Sequence, residues 1–225
     1  MKTIVLILLI TLNSSCSDLV KEEDMNTKEI ITLIKNNDII GMQNAIKNGL
    51  NINLQNTKKE SLLLIATQNN RIEIATLLVE NGADVNKQAE NLDSPFLLAG
   101  ANGQTDLVKL YLENGARFDI YNRYYGTALI PASERGHVRT VELLSSIENF
   151  PINHINNLGW TALMEAVVLG NGSEKYQEIV KILITNGADI NIPDFKGTTV
   201  LEHAIKKKQY KIAEIITNYK LNHNL

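Results

Sequence analysis

The sequence predicts an all-α solenoid of about six repeats, each a helix-turn-helix unit joined to the next by a short extended hairpin turn. One motif carries this prediction: a hydroxyl residue, an apolar residue two positions later and an alanine five positions later. The alanines of its five copies are Ala66, Ala99, Ala132, Ala166 and Ala204. They are 33, 33, 34 and 38 residues apart, and a fixed period near 33 indicates a repeat array.

A second motif has the same period. Asn-Gly-Ala-Asp-Val-Asn at 81–86 returns in altered form at 114–119 and 186–191, with a weaker copy at 48–53. Together the two motifs resemble the ankyrin repeat, whose hydroxyl-Pro-Leu-His-x-Ala segment opens its first helix and whose Gly-Ala-Asp-x-Asn segment follows its second. The resemblance covers about residues 27–225 and implies a protein-binding solenoid. The repeats are expected at about 27–53, 54–86, 87–119, 120–153, 154–191 and 192–225.

Each part of a repeat has a physical reason. The hydroxyl is predicted to cap the first helix by accepting a hydrogen bond from a free main-chain amide; these residues are Ser61, Ser94, Thr127, Thr161 and Thr199. Gly103, Gly136 and Gly170 are predicted to end the first helix in the left-handed conformation. The second helix is apolar at helical spacing, as at Ile74, Leu77 and Leu78. One unit cannot bury this apolar face alone, so the core forms only when units stack.

The outer repeats and one insertion depart from this pattern. Residues 27–53 form a degenerate first repeat, and the lysine-rich last repeat is interpreted as a solvated capping face. Repeat five carries five extra residues between its helices, within 170–177. Because the flanking motifs keep their spacing, these residues are predicted to bulge out as a loop.

Residues 1–15 are predicted to be a signal peptide. Lys2 precedes an apolar run from Ile4 to Leu12, which is too short to cross a bilayer but fits the core of an export signal. Leu12-Asn13-Ser14-Ser15-Cys16 resembles a bacterial lipoprotein box, which implies a lipid on Cys16. Residues 16–26 would then be the lipidated cysteine and an acidic tether, and the protein would lie in the bacterial cell envelope, on the periplasmic side or at the cell surface. Secretion to the periplasm after ordinary cleavage, or an uncleaved anchor, are the alternatives.

Charge and motifs exclude several classes of function. The net charge of −3 argues against a nucleic-acid partner, since such proteins present basic surfaces. With one cysteine the chain forms no intrachain disulfide. The four histidines fall at different phases of the repeat, so neither a metal site nor a cofactor is expected. Ser133 and His137 are four residues apart, the spacing of a nucleophile and its base on one helix, but His137 matches the ordinary Gly-His position of the family.

Recognition residues are expected on the concave face and at the tips of the turns in repeats four and five. Tyrosine, tryptophan and arginine are the residues enriched at binding hot spots, and they cluster here beside acidic residues. The candidate partner-binding residues are Tyr121, Arg123, Tyr124, Tyr125, Glu134, Arg135, His154, Trp160 and Glu165.

The main functional hypothesis is therefore a lipid-anchored ankyrin solenoid that binds a protein on its concave face. A neutralising or immunity protein for a secreted toxin is an alternative of the same class. A small hydrolase-like enzyme using Glu134, His137 and Glu165 is the alternative from a different class, and we do not expect it because no catalytic motif is present.

Overall fold

A computed structural model of the chain describes residues 27–223. Within that range twelve helices follow one another with short connections. They are α1 (27–35), α2 (Ile39–Lys47), α3 (Leu62–Gln68), α4 (Ile72–Glu80), α5 (Pro95–Ala101), α6 (Thr105–Glu113), α7 (Leu129–Arg135), α8 (Val138–Ser145), α9 (Ala162–Val168), α10 (Glu174–Thr185), α11 (Val200–Lys206) and α12 (Tyr210–Asn222). The predicted signal peptide, Cys16 and the acidic tether lie outside the described residues.

The helices form two layers. The odd-numbered helices from α3 to α11 pack on one another in chain order, and the even-numbered helices from α2 to α12 do the same beside them. In residues 27–223 the only β-pairing is an isolated bridge between Gln55 and Ser61, in the turn before α3. The prediction of an all-α repeat solenoid is confirmed.

The alanines of the first motif lie where the odd-numbered helices meet. All five are fully buried, because a methyl group is the largest side chain that such close approach permits. Ser61, Ser94 and Thr161 each accept a hydrogen bond from the amide three residues on, and Thr199 forms a capping box with Glu202. The predicted cap at Thr127 is wrong. Ala128 is already helical there and α7 begins at Leu129, so the hydroxyl makes no capping bond.

Side chains at the start of the even-numbered helices hold neighbouring repeats together. The last carbonyls of a helix lack partners within it, and a residue of the following repeat donates to them. Gln104 Nε2 donates to the Thr67 carbonyl over 2.9 Å, and Gln209 Nε2 donates to the Val167 carbonyl over 3.2 Å. Arg71 bonds the Lys35 carbonyl in the same manner.

The Asn of the second motif provides another link between repeats. Its side chain donates to a glycine carbonyl in the next repeat and accepts from the amide two residues further on; the pairs are Asn53 with Gly82 and Asp84, Asn86 with Gly115 and Arg117, and Asn153 with Gly187 and Asp189. Repeat three has Asp119 at this position. A carboxylate cannot donate, and Asp119 instead pairs with Arg117 at 2.7 Å.

The insertion in repeat five does not form the predicted loop. Only residues 169–173 are non-helical, and the remainder lengthens α10 to 12 residues, compared with 9 in α4 and α6. The added turn carries Tyr176, whose hydroxyl donates to the Glu134 carbonyl over 2.8 Å. Tyr176 thus makes the inter-repeat bond that Gln104 and Gln209 make elsewhere.

Gly170 also differs from its prediction. It does not adopt the left-handed conformation, which the structure places at Gly172 instead (φ 75°). A Cβ on Gly170 would lie 2.1 Å from the Ala166 carbonyl and 2.6 Å from the Tyr176 ring. Glycine is therefore required here for close approach, whereas Gly103 and Gly136 are left-handed as predicted (φ 68° and 77°).

Candidate functional site

Four of the five turns that precede α3, α5, α7, α9 and α11 share one construction. An Asn or Asp side chain accepts hydrogen bonds from the amides two and four residues later, which closes the turn. These residues are Asn56, Asn122, Asn156 and Asp194. The three residues after each of them form the tip of the turn. In repeat three Ala89 takes the place of the Asn or Asp, and the tip is formed by residues 90–92.

The last residue of every tip is left-handed. Gly159 and Gly197 occupy this position in repeats five and six, but Lys59, Leu92 and Tyr125 occupy it in repeats two to four, with φ between 57° and 63°. A left-handed conformation is strained for a residue with a Cβ, and strain of this kind concentrates at functional sites. Leu92 and Tyr125 are also about half exposed.

Large apolar side chains are exposed on the tips of four successive repeats. We call Leu92, Tyr124, Tyr125, Leu158 and Phe195 the fingertip row. Neighbouring tips touch: the Asn157 amide donates to the Tyr124 carbonyl over 2.9 Å, and the Phe195 ring covers Gly159. Tyr124 is 54% exposed and Phe195 is 77% exposed, so the row offers apolar area that its own fold leaves uncovered.

A cavity of about 320 Å³ lies between the fingertip row and the odd-numbered helices of repeats four and five. Five of the predicted partner-binding residues line it; they are Arg123, Tyr124, Glu134, Arg135 and Glu165. A second cavity of about 170 Å³ adjoins it toward repeat three and shares Arg123, Tyr124, Glu134 and Arg135. The two cavities therefore form one continuous groove beside the tips.

Glu165 is the buried acid of this groove. The residue is 3% exposed. Oε1 accepts a hydrogen bond from Asn156 Nδ2 over 2.8 Å, while Oε2 has no hydrogen-bond partner among the described residues. Burial raises the pKa of Glu165 to about 7, and the nearby charge of Glu134 acts in the same direction.

The two arginines of the groove already have partners. Arg123 lies 3.6 Å from the Asp93 carboxylate, and its guanidinium carbon is 5.5 Å from the centre of the Tyr124 ring. Arg135 donates to the Ala101 carbonyl over 2.8 Å and to Asn102 Oδ1 over 3.2 Å. Among the described residues neither arginine forms a salt bridge with Glu134 or Glu165.

The other predicted residues lie outside the groove. The rings of Tyr121 and His154 stack with their centres 4.4 Å apart, and Tyr125 packs against both. His154 Nε2 lies 2.6 Å from the Tyr125 carbonyl. Trp160 is half-buried against the hydrophobic core. This group supports the turns, and only Tyr125 also belongs to the fingertip row.

The residues of the hydrolase alternative are not assembled. His137 packs against Gly103 and bonds to the Ala101 carbonyl, and it does not line the groove that contains Glu134 and Glu165. Burial lowers its pKa, with a further contribution from Arg135. The Ser133 hydroxyl donates to the Leu129 carbonyl over 2.9 Å and is fully buried. Across residues 27–223 no three His, Cys, Asp or Glu side chains come close enough to hold a metal ion.

Sequence reasoning missed Asn156, Leu158 and Phe195. Asn156 carries no signal of its own, since its role depends on the turn that places it against Glu165. Leu158 occupies the same tip position as Tyr124, and Phe195 the same tip position as Arg123. Aligning the repeats could therefore have identified both residues as candidates. No helix of the described part is long and apolar enough to span a membrane.

Comparison with known proteins agrees with this architecture. A family model for ankyrin repeats in three copies matches residues 96–194, and a single ankyrin-repeat model matches residues 59–90. The ankyrin repeat protein YahD of Escherichia coli (strain K12) is 38% identical over 94 residues, which are 42% of this chain and 47% of YahD. The chain thus spans about half the length of this curated relative.

Solved structures extend the similarity to most of the chain. An ankyrin repeat domain from Acinetobacter baumannii AYE is 40% identical with a TM-score of 0.82, covering 85% of this chain and 97% of that domain. The ankyrin repeat protein EF0377 is 38% identical with a TM-score of 0.81, covering 84% of this chain and 96% of its own. The human ASB11 ankyrin repeat domain, at 24% identity and a TM-score of 0.70, shares the fold. The repeat motifs, the two-layer stack of helices and these similarities agree, and the chain belongs to the ankyrin-repeat family.

Proposed function

We propose that this chain is a protein-binding module held at the bacterial cell envelope, and that its partner contacts the fingertip row and the groove beside it. The ankyrin fold is generally a protein-protein interaction module and is typically non-catalytic. The observation that carries the proposal is the run of exposed apolar tips over four successive repeats, next to a groove that contains the buried Glu165.

Backbone strain at two tips supports this assignment. Leu92 and Tyr125 occupy a left-handed position that repeats five and six fill with glycine. Glycine would relieve the strain, and the turns of repeats five and six form with glycine at this position. Retaining bulky apolar residues at a strained, exposed position is therefore consistent with a role in binding.

Photo-crosslinking in cells tests the proposed face. A photoreactive residue at Leu158 should capture a specific partner, whereas one at Lys181, exposed on α10 in the even-numbered layer, should not. Tyr124→Ala combined with Phe195→Ala should abolish the Leu158 crosslink. Tyr210→Ala is the matched control, because Tyr210 is equally exposed but lies on α12. Equal capture from positions 158 and 181 would count against this face.

Envelope anchoring is a separate part of the proposal and rests on the sequence of residues 1–26. We expect mass analysis of the mature protein to find Cys16 as the first residue, carrying lipid. Cys16→Ser should leave the chain unlipidated and release it from the membrane fraction. A mature N-terminus without lipid would support secretion to the periplasm instead, and retention of residues 1–15 would support an uncleaved anchor.

A further inference from the structure

The cavity at Glu165 is suited to a single long side chain. At about 320 Å³ it is near the lower limit of small-molecule pockets, and it opens beside the tips, where a partner would lie. Its walls combine apolar surface from Pro131, Leu158 and Leu169 with the carboxylates of Glu134 and Glu165. A side chain with an apolar stem and a polar end would contact both kinds of surface.

The buried hydrogen-bonding atom left without a partner in the cavity is an acceptor. Glu165 Oε2 is buried without a hydrogen-bond partner among the described residues, and the half-buried Glu134 lines the same cavity. Asn156 Nδ2 donates to Glu165 Oε1, Arg135 Nη1 donates to the Ala101 carbonyl and to Asn102 Oδ1, and Arg123 faces the Asp93 carboxylate. None of these groups donates to Glu165 Oε2. An unpaired buried acceptor is costly, so the group that completes this site should bring donors, and beside two carboxylates it should be cationic.

Repeat six pairs an acid with a base at the same two positions, with the acid in the turn and the base on the helix. In repeat five, Asn156 closes the turn and Glu165 lies nine residues later on α9. The equivalent residues of repeat six are Asp194 and His203, and Asp194 Oδ2 lies 2.8 Å from His203 Nε2. The basic group there belongs to the chain itself. In repeats two to four the residues equivalent to Glu165 are Ile65, Leu98 and Pro131, so repeat five alone among these presents an acid at this position.

We propose that the cavity receives a basic side chain of the partner protein, with arginine favoured over lysine, and that Glu165 and Glu134 bind its cationic end. This inference rests on the proposed function, because it assumes a protein partner at this face. The stem would lie against Pro131, Leu158 and Leu169. Arginine is favoured because its planar guanidinium carries several donors, is more weakly hydrated than an ammonium group and pairs with carboxylates in a fork geometry.

A small-molecule analogue of an arginine residue is enough to test this inference. The isotope-labelled full chain is titrated with N-acetyl-arginine methylamide and monitored by NMR, with the neutral citrulline analogue and the lysine analogue as comparisons. We expect saturable shifts at Asn156, Leu158 and Glu165 with arginine, weaker shifts with lysine and none with citrulline. Glu165→Gln should weaken arginine binding at least tenfold and Glu134→Gln about threefold. Glu178→Gln, exposed on α10, is the matched control and should have no effect.

The pH dependence of binding adds a second readout. Because the pKa of Glu165 is raised to about 7, affinity for arginine should rise about tenfold between pH 6 and pH 8 as the carboxyl ionises. The charged groups on the elements packed around α9 include Glu134 and Arg135 on α7, Arg123 in the turn before α7, Lys175 on α10 and Lys207 at the end of α11. On α11, which packs against α9, His203 pairs with Asp194. Glu165→Gln should remove the dependence, which would not happen if His203 caused it.

The outcomes separate this inference from the proposed function. The inference is overturned if arginine does not bind, or if Glu165→Gln and Glu134→Gln leave its binding unchanged. In either case the Leu158 crosslink can still form, so the proposed function is tested separately. Arginine binding at Glu165 without a Leu158 crosslink supports the cavity chemistry and counts against the partner face. Equal shifts with arginine and citrulline would also overturn the inference, since they would show that charge is not recognised.

Discussion

Glu165 has two consequences at the scale of single residues. It provides the unpartnered acceptor of the cavity, and it makes the stability of the fold depend on pH. In the unfolded chain its carboxyl has the ordinary pKa of 4.5, and in the folded protein burial raises that pKa to about 7. The folded state therefore holds the proton more tightly than the unfolded chain does. Protonated Glu165 makes its full contribution to the free energy of unfolding below pH 4.5, and that contribution is lost as the pH rises towards 7.

Glu165→Gln should remove this loss. We expect the free energy of unfolding of the wild type, relative to the variant, to fall by about 2–3 kcal/mol between pH 5 and pH 8. Urea denaturation of both proteins at several pH values measures the difference. Parallel pH profiles would mean that the Glu165 carboxyl is not buried as described. Glu178→Gln should follow the wild type throughout.

The left-handed tips give a second prediction at this scale. Lys59 is exposed and left-handed (φ 57°), while Lys58 in the same turn is not left-handed. Lys59→Gly should raise the free energy of unfolding by about 0.5–1 kcal/mol, because glycine tolerates this conformation. Lys58→Gly should lower it or leave it unchanged, since glycine there only adds freedom to the unfolded chain. Thermal melting distinguishes the two, and stabilisation by both variants would contradict the assigned strain.

At the scale of helices, the fold depends on close approach between the odd-numbered helices. Ala99 on α5 is fully buried, whereas Gln68 at the end of α3 is exposed. Ala99→Leu should overpack the junction and cost about 1–3 kcal/mol of stability. Gln68→Leu should cost under about 0.5 kcal/mol. Equal effects in chemical denaturation would show that the repeat phase is misassigned.

The lengthened α10 gives a prediction of its own. Tyr176 on its added turn donates to the Glu134 carbonyl at the end of α7 and so joins repeats four and five. Tyr176→Phe removes only the hydroxyl and should cost about 1 kcal/mol. Tyr210→Phe on exposed α12 should cost nothing measurable by the same denaturation assay. A Tyr176→Phe variant as stable as the wild type would mean that the insertion does not stabilise the interface between repeats.

At the scale of the whole molecule, the repeat pattern explains what could be predicted and what could not. The position of Ala166 and the caps at Ser61 and Thr161 follow from local sequence, because each acts within one helix or its turn. The helical form of the insertion and the close approach at Gly170 depend on contacts with the preceding repeat, which a period of 33 does not describe. The burial of Glu165 likewise depends on Asn156 and on the tip above it.

The candidate site was predicted in part for the same reason. The richness of repeats four and five in Tyr, Arg and Glu pointed to Arg123, Tyr124 and Glu165 as candidates, and the structure gathers them in one groove. It separates Tyr121 and His154 into a stack that supports the turns. Composition alone could not separate the groove residues from the Tyr121–His154 stack, because both sets come from the same turns.

The most direct test of the account is hydrogen-deuterium exchange of the protein alone and with its captured partner. We predict slower exchange of main-chain amides in turns 122–126 and 156–160 and around Glu165 in the complex, with no change in α4, α6 and α8 of the even-numbered layer. Protection confined to those even-numbered helices, with the tips exchanging as before, would contradict the assignment of the fingertip row and its groove as the binding face.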